Sequence, residues 1–137
     1  LHACDTATDV ALATGIRAGA QLIVSSPCCH KQLRPQMQLP PVLKGMLQHG
    51  IHLGQQAEMV TDSLRALWLE ARGYDAQVFE FVALEHTSKN KMILALRRPA
   101  DAPGEARRRA EAERQIAEIK AFYGVREHRL EDLLQPA

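Results

Sequence analysis

No feature of the sequence restricts the fold as much as the run QLIVSSP at residues 21–27. It is apolar, β-branched and without alternation, which suits a strand covered on both faces, the habit of parallel sheets. The stretch before it, DTATDVALATGIRAGA, offers Thr8 and Asp9 as helix caps and sets Val10, Ala13, Ile16 and Ala20 at helical spacing, with Gly19 near the end. A short helix followed at once by a buried strand is the grammar of an α/β domain.

Further along, residues 31–54 are rich in Pro, Gln and Gly, with a short helix expected in PVLKGMLQHG after Pro41. An irregular stretch of that length inside a compact domain is more often a lid than a connector. The clearest helix runs from about Gln55 to Arg72, with Ala57, Val60, Leu64, Leu67, Trp68 and Ala71 on one face and Glu58, Asp62, Arg65 and Arg72 elsewhere. Two strand-like runs follow, DAQVFEFVAL and KMILALRRP. The connector EHTSKN, about six residues, is too short for a crossover helix and makes them an antiparallel pair. The charged tail reads as a helix in which Ala112, Ile116, Ile119 and Tyr123 form the packing stripe, while Glu105 with Arg109 and Arg109 with Glu113 pair along its surface. Residues 1–103 are expected as one α/β unit and 104–137 as a helical tail.

Composition narrows the function. Seventeen basic and sixteen acidic residues leave a net charge of +1, which gives no global argument for nucleic acid. Cys4, Cys28 and Cys29 are odd in number and unevenly placed, so free thiols in a reducing cytoplasm are expected rather than a disulfide framework. No apolar run approaches the roughly 20 residues that cross a bilayer, so no membrane role is expected.

Three stretches in order, LHACDTATD at 1–9, PCCHK at 27–31 and EHTSKNKMI at 85–93, resemble the methyltransferase-like family that includes the methyltransferase domain of glutathione S-transferase C-terminal-domain-containing proteins. The resemblance covers roughly residues 1–98. It implies the C-terminal half of a Rossmann-like class I methyltransferase sheet, a parallel strand plus a terminal antiparallel hairpin flanked by helices, with S-adenosyl-L-methionine as cofactor. That fold holds the cofactor on a glycine-rich loop after its first strand. No such loop occurs in these 137 residues, and the chain opens at Leu1 without a lead-in. It is therefore expected to be the substrate-side part of a longer enzyme, inactive alone. The strand at 21–27 would then show an open edge, available for a homodimer or for cover by the tail helix.

By the same resemblance His2, Cys4 and Asp5 flank the transferred methyl group, with Cys4 and Pro27 facing the cofactor. The alternative expectation is that Asp5, Thr6 and Thr8 merely cap the following helix, a role that can coexist with the first. His2 could orient or deprotonate a nucleophile. The PCCHK corner admits three readings. Cys28 and Cys29 could shape a neutral pocket at a strand end. One of them could be a covalent nucleophile activated by His30 or Lys31. Or both are small core filling. The resemblance favours the pocket, with His30 beside it as a catalytic candidate. A zinc site fits poorly because adjacent cysteines rarely close on one ion, and no metal is expected. Lys31, Lys89 and Asn90 are carried over as substrate contacts. With Arg34, Lys44 and Lys91 they suggest RNA as the methylated substrate. The rival expectation is a non-catalytic interaction module that keeps the half-fold as a scaffold.

Overall fold

The computed structural model describes residues 6–27, 30–81 and 91–136. Helix α1 (Thr6–Arg17) leads into strand β1 (Leu22–Ser25), and the irregular stretch that follows contains α2 (Pro41–Leu47). The long α3 (Gly50–Ala71) turns into β2 (Tyr74–Glu80), followed by β3 (Lys91–Arg97), α4 (Glu105–Tyr123) and α5 (Arg129–Leu134). The helix expected from about Gln55 begins a turn and a half earlier, at Gly50.

The strands form one sheet in the order β1-β3-β2, with β3 antiparallel to both neighbours. β1 and β2 therefore point the same way with β3 between them. The expected hairpin is present, from Tyr74 opposite Arg97 to Glu80 opposite Lys91. β3 takes the centre because MILAL is apolar over five consecutive positions, whereas β2 carries Asp75 and Gln77 on its outward positions and suits an edge.

A correction concerns β1. Its unalternated run predicts cover on both faces and a mainly parallel sheet, yet its pairing among the described residues is antiparallel and one of its faces is open. Ile23 is buried with Ile93 and Ala95, but Leu22, Val24 and Leu96 on the opposite face are 54%, 51% and 52% exposed. The reason lies in the helices. The core cluster on the inner face joins Leu12 and Ala13 of α1, Leu69 of α3, and Leu130 and Leu134 of α5 to Ile23, Tyr74, Ile93 and Ala95 of the sheet. Nothing among the described residues covers the outer face in the same way.

A second core lies on the far side of α3, where Val60 and Leu64 meet Ala112 and Ile116 of α4 with Leu33 and Val125. The α3–β2 reversal depends on Gly73, whose φ of 95° suits glycine and whose missing Cβ would stand 2.5 Å from Arg109 Nη2. Next to it, buried Arg98 binds the end of α3 to the start of α4: Nη1 donates to Glu70 Oε2 at 2.7 Å, Nη2 to the Glu70 carbonyl at 2.8 Å, and Nε to Glu105 Oε2 at 2.7 Å. Two hydrogen bonds from Arg98 and one from Arg109 hold the Glu105 carboxyl well below the usual range, at about 2.

Candidate functional site

The carboxyl ends of β1 and β2 and the start of β3 share one rim, since Ser25 faces Ile93 and Glu80 faces Lys91. Ser26 Oγ adds a bond to the Lys91 carbonyl at 3.4 Å. Buried Pro27 follows β1 at this rim and sends the chain toward α3. His30 then lies against that helix.

A row of charged groups runs inward from His30. Its Nε2 is 2.9 Å from Asp62 Oδ1, and that oxygen also accepts from Arg65 Nη1 at 3.1 Å. Arg65 continues to Asp9 with two bonds, Nε to Oδ1 at 2.8 Å and Nη2 to Oδ2 at 3.1 Å. Asp62 and Arg65 stand three residues apart on one face of α3, while Asp9 lies in the buried first turn of α1. Burial works against the Arg65 charge, but hydrogen bonds and charge from Asp9 and then Asp62 outweigh it and raise its pKa above the ordinary value. The row links the end of the ATD stretch to the end of the PCCHK stretch through α3.

The outward end of the row differs from the inward end. His30 is only 3% exposed at its side chain, and its Nδ1 has no hydrogen-bond partner among the described residues. Glu58 Oε1 lies 4.0 Å from that nitrogen. Glu58 is 24% exposed and lines an open cleft of ≈ 1030 Å³, to which Arg34, His49, Ile51, Glu80 and Lys91 also contribute. His49 and His52 meet edge to face with ring centres 5.7 Å apart at the cleft mouth. Arg34 donates to the Gly50 carbonyl at 3.1 Å and so fixes the start of α3.

His128 sits behind the row. It is fully buried, neither ring nitrogen has a partner among the described residues, and it precedes α5. Burial first, then the nearby Arg65 and Lys120 charges, push its pKa down to about 4 against the opposing pull of Asp9 and Glu131.

Of the residues singled out in the sequence, Pro27 is buried at the rim, His30 is half-buried with its side chain covered, and Lys31 is exposed beside them. His2, Cys4, Asp5, Cys28, Cys29, Lys89 and Asn90 lie outside the described residues. Arg34 and Lys91 line the cleft, and Lys44 is exposed on α2. The sequence reading missed Glu58, Asp62 and Arg65, although their spacing of four and three places them on one helical stripe. Among the described residues no group of three or more His, Cys, Asp or Glu side chains is placed to hold a metal ion. No helix among them is long and apolar enough to cross a membrane.

Residues 1–36 match the sequence model of a family described as a methyltransferase domain. The match spans both the LHACDTATD and the PCCHK stretches. No curated protein and no solved structure matches the chain.

Proposed function

We propose that the chain is the substrate-side part of an S-adenosyl-L-methionine-dependent methyltransferase, with RNA as the first substrate class to test. The observation that carries this reading is the methyltransferase-domain match over residues 1–36, whose two motif stretches α3 ties together through Asp9, Arg65, Asp62 and His30. The strand order supports it. An antiparallel strand between two strands of common direction is the arrangement expected where a class I methyltransferase sheet ends.

S-adenosyl-L-methionine supplies, when bound, an electrophilic methyl group on sulfur. In this reading Cys4 and Pro27 face it, and the rest of its pocket belongs to polypeptide beyond these 137 residues, because the sequence has no glycine-rich loop after a strand. The described residues suit the substrate side. Buried Pro27 gives a rigid wall, and His30 presents a buried ring nitrogen with an unused hydrogen-bonding position. Arg34 and Lys91 line the cleft and bring positive charge suited to phosphates.

Calorimetric titration of S-adenosyl-L-methionine into the 137-residue chain and into the full natural polypeptide that carries it tests the reading. Binding by the latter, with tritiated methyl transfer to RNA that weakens steeply between 50 and 200 mM salt, is the expected result. Absence of cofactor binding in both overturns it.

A further inference from the structure

We propose that Glu58, His30 and Asp62 form a proton relay at the inner wall of the α2–α3 cleft, with Glu58 as the group that meets the ligand and Asp62 as the positioning residue. This deepens the reading above by assigning proton removal from the methyl acceptor.

Asp62 is engaged from the protein interior. Its Oδ1 already accepts a hydrogen bond from the Arg65 guanidinium at 3.1 Å. A carboxylate has only acceptors, so the 2.9 Å contact with His30 requires the imidazole hydrogen on Nε2. A neutral His30 then carries a lone pair on Nδ1. That atom is buried without a partner among the described residues, a costly arrangement unless something uses it. It faces Glu58 Oε1 at 4.0 Å, and Glu58 is the member of the row that reaches the cleft. Such contacts are often long before a ligand is bound and tighten afterwards.

The step balances. An O–H or N–H bond of the ligand breaks, and its electron pair stays on the acceptor atom. The proton passes to the Glu58 carboxylate and from there to Nδ1. The imidazolium so formed lies between Glu58 and Asp62, while Arg65 and Asp9 hold Asp62 from behind. Lys31, next in sequence, is the exposed cation nearest along the chain. An RNA hydroxyl or base N–H is the ligand chemistry this relay fits.

Nitrogen-15 NMR of the histidine rings tests it without any turnover. The expected result is His30 as the Nε2–H tautomer at neutral pH, with that tautomer losing its dominance in Asp62→Asn while the helical circular dichroism stays intact. His30 found as the Nδ1–H tautomer overturns the relay, as does a folded Asp62→Asn with an unchanged tautomer. If Asp62→Asn does not fold, the tautomer of the parent chain decides. In the full natural polypeptide, Glu58→Gln is expected to lower methyl transfer by about 10²-fold with cofactor affinity unchanged. Undiminished transfer by Glu58→Gln also overturns the proposal. A polypeptide that binds no S-adenosyl-L-methionine but keeps the expected tautomer and its Asp62 dependence sinks the methyltransferase reading while supporting the relay.

Discussion

The Arg65 guanidinium holds the Asp9 carboxylate through two parallel hydrogen bonds, 2.8 and 3.1 Å long, and in doing so fixes the first turn of α1 to the middle of α3. Both side chains are 1% exposed, so loss of Arg65 takes the two-pronged counter-ion from a buried carboxylate. Arg65→Ala is expected to cost about 3–5 kcal/mol in urea denaturation. Arg65→Lys should recover only part of that, since one ammonium cannot match a two-pronged fork. The double variant Asp9→Ala with Arg65→Ala should cost less than the sum of the singles. Single variants each costing under about 1 kcal/mol would show the pair to be incidental.

His128 gives the fold a defined weakness to acid. Its pKa is about 4 in the folded chain against 6.5 for an unperturbed histidine. Between those values the unfolded chain binds the extra proton and the folded chain does not, so stability rises with pH there. The contribution is complete above about pH 6.5 and disappears as pH falls toward 4, up to about 3 kcal/mol in all. Urea midpoints at pH 4.5 and pH 7 measure it. In His128→Leu the difference between the two midpoints should shrink by most of that amount.

Glu105 acts in a lower window. Its carboxyl titrates at about 2 rather than 4.5 because Arg98 and Arg109 donate to it. The folded chain therefore releases this proton more readily, and the stabilisation is full above pH 4.5 and lost as pH falls through 2. Glu105→Gln should flatten the stability profile between those values and leave the window above pH 4.5 untouched. A profile with the same slope in both proteins would mean that the unfolded chain keeps the contact.

These residues also mark how far the sequence could be read. The apolar stripe of α3 and the antiparallel pairing of β2 with β3 were legible because periodicity and strand spacing are local properties. Ala112 and Ile116 were likewise placed correctly on the packing stripe of α4. The row from Asp9 to His30 was not legible, because it joins residues up to 56 apart in sequence and only the folded chain shows that polar positions on α3 are buried. His128 gave no signal at all, since a lone histidine before a six-residue helix has no pattern to betray its burial. The sheet order was not legible: the sequence pointed to a parallel β1, whereas the central place of β3 and the exposure of Leu22 and Val24 depend on where the strands and helices go.

The two faces of β1 provide the last expectation. Consecutive residues of one strand, Ile23 and Val24 have similar side chains, but Ile23 packs under α1 and Val24 is half exposed. Face, not residue type, should set the cost of substitution. Ile23→Ala is expected to lose about 2–4 kcal/mol, because the cavity forms against Leu12, Ile93 and Ala95, which leave little room to collapse. Val24→Thr keeps the β-branched shape on an open face and should change stability by no more than about 0.5 kcal/mol. Thermal or urea unfolding of the two variants side by side measures the contrast. Equal losses would mean that the outer face of β1 is covered in solution.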